Sequence, residues 1–444
     1  MPRELLIRGG RVIDPANGRD RTGDLLIRDG VIVSCADAIT PPDGAEIIEA
    51  AGLVVTPGWI DLHAHLREPG FEYKETIVGG ARAAAQGGFT TICCMPNTKP
   101  ALDSPEMMRF VLDRAREAVV RVLPIATITR GRALTEPVDF TALDAAGAIG
   151  FSDDGESTSS TPAMMAALEA SKTLQRPIMV HCEDPALVAG GGINTGPVAD
   201  ALGLPGSPDV AEEVMLARDL TLAAATGGWL FACHTTTARG VALIREAKAR
   251  GVHVTAEVTP HHLALTDEWL AGRRHLYWEE PLPTGAPANP DAKVNPPLRT
   301  GADIEALVAG LRDGTIDTIG TDHAPHAARD KPAEFGAAAA GMLGFEVALP
   351  TLLSLVRAGA LDLPLIIAKL TVAPAAVLGN ALPQGTGTFA PGAPADVTIF
   401  DPERRWMVTP DALASSSKNT PLLGRELQGA VTHTLVGGEV RYRA

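Results

Sequence analysis

Eight apolar segments of strand length recur along the chain, most of them separated by stretches with helical periodicity, and this alternation restricts the fold more than any other feature. The segments cover residues 53–60, 89–95, 122–128, 148–151, 177–180, 229–233, 252–258 and 315–319. Helix-period stretches cover 75–86, 105–119, 161–174, 210–226, 237–250 and 303–312. Alternating strand and helix argues for a parallel sheet, and eight such units predict a closed α/β architecture, a (β/α)8 TIM-like barrel. An open doubly wound sheet is the competing architecture. The G-x-G-x-x-G turn that would support it after the first strand is missing.

A barrel of this kind takes about 250 residues, and the chain has 444. The surplus falls at both ends. Residues 4–55 contain short strands punctuated by Gly turns, in Leu5-Leu6-Ile7-Arg8-Gly9-Gly10, Asp24-Leu25-Leu26-Ile27-Arg28-Asp29-Gly30 and Val31-Ile32-Val33. The same texture returns in Ala395-Asp396-Val397-Thr398-Ile399-Phe400 and Val431-Thr432-His433-Thr434-Leu435-Val436. Residues 1–55 and 380–444 are therefore expected to form one composite β-domain, a small β-sandwich made by both termini, around a barrel over 56–379.

Chemistry in a barrel gathers where its strands end, so the residues that follow each apolar run carry the functional reading. The first run leads into Asp61-Leu62-His63-Ala64-His65-Leu66-Arg67. Side chains two apart on a strand share a face, so His63 and His65 can grip one metal ion, and Arg67 can face the same space. The fourth run ends in Asp153-Asp154-Gly155, the fifth in His181-Cys182-Glu183, the sixth in His234 and the eighth in Asp322-His323. Positions so far apart in sequence converge on one barrel mouth. Stability alone gives no reason to place His or Asp at five of eight strand ends.

Four imidazoles and two carboxylates form an N/O set suited to zinc or a similar divalent ion, and they exceed what one tetrahedral site needs. Two metals are implied, with a carboxylate between them and a hydroxide available near neutral pH. That is the layout of a hydrolase. Cys182 and Cys233 neighbour His181 and His234, but strand alternation should turn both thiols outward to the helix layer. Five cysteines without C-x-x-C spacing fit a reduced, cytoplasmic protein. Neither a signal-peptide core nor a run of 18 apolar residues is found. A net charge of −15 with no basic run makes nucleic acid or an anionic membrane a poor partner. A small anionic substrate would need a local basic grip, for which Arg67 is the candidate.

Several stretches carry a family resemblance. Asp61-Leu62-His63-Ala64-His65-Leu66-Arg67-Glu68-Pro69-Gly70 and Ile319-Gly320-Thr321-Asp322-His323-Ala324-Pro325-His326 resemble the cyclic-amide branch of the amidohydrolase superfamily. Within it, Met95-Pro96-Asn97-Thr98, Gly150-Phe151-Ser152-Asp153-Asp154-Gly155 and Val294-Asn295-Pro296-Pro297-Leu298-Arg299 look like the class I dihydroorotases. Hydantoinases, dihydropyrimidinases and allantoinases place a carbamylated lysine at the end of the fourth strand. This chain has Asp153-Asp154 there and no lysine in the segment.

The resemblance implies two zinc ions per subunit. His63 and His65 would hold the first, with Asp154 bridging and Asp322 completing that side; His181 and His234 would hold the second. Asp153 is left for turn or supporting work. Arg67 and Asn97 would bind the substrate's α-carboxylate, and Asn295, His326 and the backbone near Ala340-Gly341 match positions that contact substrate. The implied reaction is reversible ring closure of N-carbamoyl-L-aspartate to L-dihydroorotate, a step of pyrimidine synthesis, with Asp322 shuttling the proton. A homodimer, and association with aspartate transcarbamoylase, are also implied.

The alternatives are a hydantoinase- or allantoinase-like cyclic amidase, or a catalytically silent scaffold homologue, which predicts gaps in the His/Asp set. His261 and His262 read as turn or satisfied polar residues, and His323 should point away from Asp322. Residues 276–292 read as a surface excursion, and residues 329–341 as a lid over the substrate.

Overall fold

The computed structural model describes residues 4–280 and 289–444. Its N-terminal strands are β1 (Glu4–Asp14), β2 (Arg19–Arg28), β3 (Val31–Ala36), β4 (Glu46–Glu49) and β5 (Val54–Pro57). Next come β6 (Trp59–Ala64), β7 (Phe89–Cys94), β8 (Arg121–Pro124) and β9 (Ile178–Val180). The two-residue pair β10 (Ile193–Asn194) and β11 (Gly206–Ser207) precedes β12 (Leu230–Ala232), β13 (Val254–Val258) and β14 (Thr318–Ile319). The chain closes with β15 (Val397–Met407), β16 (Glu426–Val436) and β17 (Glu439–Arg443).

The molecule is α/β with two kinds of sheet. β6, β7 and β8 pair in parallel, as do β9, β12, β13 and β14. Single parallel bridges link the two groups at both sides, Ala126 to Phe151 to Ile178 on one and Ala64 to His323 on the other. The pairings thus return to the strand they start from. The fourth predicted strand, 148–151, pairs through the Phe151 bridges and through backbone bonds from the Ile149 amide to Pro124 O, the Ala126 amide to Gly150 O and the Ser152 amide to Ala126 O.

Helices flank these strands where the caps say they should. The helix Thr161–Leu174 begins on Ser160, whose side chain accepts from the Ala163 amide, and has Pro162 in its first turn. Gly301–Asp313 opens on a Thr300/Asp303 capping box and stops at Gly314 in the left-handed region. Helices Phe140–Ala145, Phe345–Arg357, Leu363–Leu370 and Val372–Leu378 were not among those expected. The last two lie in a stretch, Leu363–Ala381, that is long and apolar enough by composition to cross a bilayer, although Lys369, Thr371 and Asn380 interrupt its apolar run. It is broken at Thr371, and Ile366, Ile367 and Leu370 belong to the main buried core.

The termini form one sheet in the order β17-β16-β15-β5-β1-β2-β3, with β4 paired to β1. Leu5, Ile7, Val12 and Leu25 from one end share a buried cluster with Phe389, Val397, Ile399 and Leu435 from the other. The expected single strand over 53–60 is split at Gly58: its first half belongs to this sheet and its second to the parallel one. The Gly58 amide donates to Asp396 O, and a Cβ there would lie 2.3 Å from Thr90 Oγ1. Trp59 then seals the seam, with ring centroids 5.8 Å from Phe89 and 5.7 Å from Phe400. Truncating such a ring costs about 3–5 kcal/mol.

Candidate metal centre and active-site cavity

Strand ends bring the candidate residues to one place. β6 runs into His63, its register slipping against β7 between Asp61 and Ala64, and His65 follows the strand with its amide bonded to His323 O. Asp61 is buried between β6 and the end of β14, where it accepts from the Thr321 amide and hydroxyl and the His63 amide. Burial lifts its pKa to about 7.

The ligand atoms of His63, His65 and Asp154 lie within 4.8 Å of one another, and so do those of Asp154, His181 and His234. Asp154 is common to both groups. Asp322 Oδ1 stands 3.0 Å from His65 Nε2 and 3.6 Å from His63 Nε2. His63 Nε2 and Asp154 Oδ1 are buried, 3.5 Å apart, and among the described residues neither has a hydrogen-bond partner. With Nδ1 donating to Glu257, His63 Nε2 offers a lone pair, and two lone-pair atoms facing each other are what a cation between them would satisfy, so the residues fit a divalent ion.

Electrostatics point the same way. Burial opposes the charge on Asp154 and Asp322, yet His63 and its neighbours hold both carboxyls below their ordinary range. Burial likewise opposes a proton on His63, but Asp154 and Asp322 raise its pKa well above normal. His65 is lowered by burial and by Arg67.

Three of the four histidines have an outer partner that sets ring orientation. His63 Nδ1 lies 3.1 Å from Glu257 Oε1, His65 Nδ1 lies 2.9 Å from Asn97 Oδ1, and His181 Nε2 lies 3.0 Å from Glu183 Oε2. Asp153 faces away from both groups, accepting from the Ile128 and Thr129 amides and the Thr129 and Thr158 hydroxyls. Glu257 escaped the sequence reading. Its signal was available, as a carboxylate inside the otherwise uncharged β13. Its pocket requires Gly320, where a Cβ would fall 2.1 Å from Glu257 Oε2.

Cys233 corrects an expectation. It does not join Cys182 in the cluster of the helix layer but packs with Ile60, Cys93, Met179 and Phe231, and its ligand atom stands within 4.8 Å of those of His63 and Glu257. Alternation fails because β12 ends at Ala232 and His234 has φ +28°. Burial lifts this thiol to about 12, so it remains protonated. Arg67 and Asp322 also have positive φ, 64° and 46°. Such backbone costs about 1–3 kcal/mol per residue and clusters at working sites.

A cavity of about 220 Å³ opens above the metal groups. It is lined by His65, Arg67, Asn97, Asp154, His181, His234, Asn295, Asp322, His326, Ala340 and Gly341, so every predicted site residue but the deeper His63 reaches it. Arg67 donates from Nε to Pro325 O, and its Nη2 lies 3.2 Å from His326 Nε2. Asn295 Nδ2 lies 3.2 Å from His181 Nε2. His323 turns away from the cavity, its Nδ1 accepting from the Gly344 and Phe345 amides. His262 is satisfied by Thr259 and Pro296, whereas His261 Nε2 is buried with no partner among the described residues.

The segment after His326 is tied down at several points. Lys331 Nζ donates to Pro290 O and Lys293 O, Lys293 Nζ donates to Phe335 O, and the Gly341 amide donates to Lys293 O. Of the predicted surface excursion, residues 281–288 lie outside the described residues.

A family model described as dihydro-orotase-like matches residues 52–239. The chain is 45% identical over 442 residues to the dihydroorotase of Syntrophus aciditrophicus, with 99% of both chains covered. It is 47% identical over 437 residues to that of Anaeromyxobacter sp. strain K, covering 98% of this chain and 97% of the relative. Among solved structures it superposes on the dihydropyrimidinase of Brevibacillus agri at a TM-score of 0.83 with 23% identity, covering 99% and 95% of the two chains. The L-hydantoinase of Arthrobacter aurescens matches at 0.83 with 24% identity, covering 99% and 96%. At that identity the likeness is one of fold, and fold does not decide substrate.

Proposed function

This chain belongs to the dihydroorotase family, and from that premise we propose how its cavity performs the family's reaction. The protein is a dihydroorotase, a cyclic amide hydrolase that interconverts N-carbamoyl-L-aspartate and L-dihydroorotate plus water. The observation that carries the site reading is Asp154, shared by two ligand groups at the floor of a cavity whose wall presents Arg67.

Two zinc ions, held by His63, His65, Asp154 and Asp322 on one side and by Asp154, His181 and His234 on the other, would supply Lewis acidity at the ring carbonyl and a water that ionises near neutral pH. The chain supplies the rest. Arg67 presents a planar fork to the α-carboxylate, with Asn97 and His326 beside it. Asn97 also accepts from His65, so one amide spans the carboxylate grip and a metal ligand. In hydrolysis Asp322 takes the proton of the attacking water and passes it to the ring nitrogen as the C–N bond breaks; in ring closure it runs in reverse. Asn295, Ala340 and Gly341 bound the ring from the remaining sides.

The returning set of parallel pairings is read as a (β/α)8 barrel over 56–379, and the terminal sheet, residues 1–55 with 380–444, as a small β-sandwich domain. A homodimer, an association with aspartate transcarbamoylase and a cytoplasmic location come from the family resemblance, and sedimentation with and without the transcarbamoylase tests the first two. The hydantoinase reading lacks a lysine in the segment 150–155, and a silent scaffold would show gaps among the six ligands. Metal-replete protein assayed on dihydroorotate, hydantoin and allantoin decides among them. Turnover of dihydroorotate is expected; turnover of hydantoin or allantoin without it would overturn the reading.

A further inference from the structure

His326 stands between two cations. Its Nε2 lies 3.2 Å from Arg67 Nη2 on the cavity side, and its Nδ1 lies 3.2 Å from Lys74 Nζ on the other. Guanidinium and ammonium groups only donate, whereas a neutral imidazole has one acceptor and one N–H, and a protonated imidazole has no acceptor at all. Burial, with Arg67 and Lys74 alongside, pushes the imidazole pKa down to about 2, so the ring is neutral. One of its nitrogens must therefore present a proton to a cation, unless an acceptor comes between them.

The two sides differ in what they can accommodate. Lys74 is fixed: Nζ lies 3.5 Å from Asp330 Oδ2 and within 5.6 Å of the Phe71 and Tyr73 ring centroids, and its carbonyl accepts from Ser417 Oγ. It does not line the cavity, and only 14% of its side chain is exposed. Arg67 and His326 do line it, so an anion arriving there meets both. A carboxylate would accept from Arg67 and from an Nε2–H together, leaving Nδ1 free to accept from Lys74.

We propose that Lys74 is a positioning residue that fixes the tautomer of His326, placing the proton on Nε2 so that the imidazole donates to the substrate's carboxylate. The inference rests on the carboxylate subsite proposed above and adds to it a residue that never touches substrate. Without Lys74 the Nδ1–H tautomer becomes available, and Nε2 then turns a lone pair toward an anion.

Double-mutant kinetics test it. Lys74→Met is expected to raise KM for dihydroorotate about tenfold with kcat nearly unchanged. In a His326→Asn background the same substitution should have no further effect, because an amide can present its NH2 group whatever Lys74 does. An equal rise in KM in that background overturns the proposal, as does an Asp330→Asn variant that reproduces the rise through loss of the loop's ion pair. If His326→Ala leaves KM unchanged, the carboxylate subsite itself fails; if His326→Ala raises KM and Lys74→Met does not, only the tautomer proposal fails. A spectrum of the ¹⁵N-histidine-labelled wild type with dihydroorotate needs no Lys74 variant. With His326 assigned by its loss in His326→Asn, an Nε2–H signature is expected and an Nδ1–H signature contradicts the proposal.

Discussion

The two halves of the candidate metal centre, one ligand group each, are supported in different ways. His63 lies on β6 and is held by Glu257 on β13, a strand-to-strand contact, while His65 and its partners Asn97 and Asp322 sit just past the ends of β6, β7 and β14. His181 and His234 follow two different strands, and His181 leans on Glu183 in its own loop. That loop is in turn held by Ser157 Oγ, which accepts from the Glu183 amide, and by Ser207. Side chains fixed by strands keep their geometry better than those fixed by loops. The first half should bind its ion more tightly, and the second should respond more to what lies over it.

The strongest challenge to that contrast is Asp322→Ala, since Asp322 serves only the first half and is assigned the proton transfer. A fall in kcat of about 10³-fold is expected at full metal loading, and steady-state rates on dihydroorotate check it. Rates near wild type would remove Asp322 from the chemistry.

Paired substitutions of the outer carboxylates sharpen the comparison. Glu257→Gln and Glu183→Gln should each weaken metal binding about 10–100-fold, but at different halves. In a graded chelator titration followed by elemental analysis, Glu183→Gln should make the more weakly held ion leave earlier and spare the tighter one. Glu257→Gln should bring the two losses together. Identical curves for the two variants would show that the halves are not separately supported.

A smaller effect is expected behind the second half. The helix Asp209–Thr226 supports that side through Glu212, which accepts from the Thr236 amide two residues after His234. The same helix buries Asp219, whose carboxyl burial raises to about 6 despite Arg218. A raised carboxyl favours the protonated folded state, so its stabilising contribution is full below the ordinary value of 3.8 and is lost as pH climbs through about 6. Asp219→Asn cannot ionise. Its stability relative to wild type should improve by about 2 kcal/mol or slightly more between pH 4 and pH 7, read from thermal midpoints. A constant difference would contradict the sign.

Much of this site was legible along the chain because period and punctuation carry it. Apolar runs ending in His or Asp located His63, His65, Asp154, His181, His234 and Asp322, and the cavity gathers all of them except the deeper His63 at its surface. Where backbone departs from regular alternation, the reading failed. The left-handed backbone at His234, which nothing local announces, lets His234 and Cys233 both face inward. The split at Gly58 was hidden for a related reason: an apolar run looks alike whether one sheet or two consume it. Glu257 and Lys74 act through other side chains across large sequence distances, and only the assembled structure brings them to His63 and His326.

Asp154, shared by both ligand groups, is the residue that would join the two halves into one site. Zinc per chain, measured by elemental analysis on folded wild type and Asp154→Ala after equilibration in limiting free zinc, tests it directly. The account predicts close to two ions in the wild type and less than one in the variant. A variant that keeps the wild-type count would contradict it.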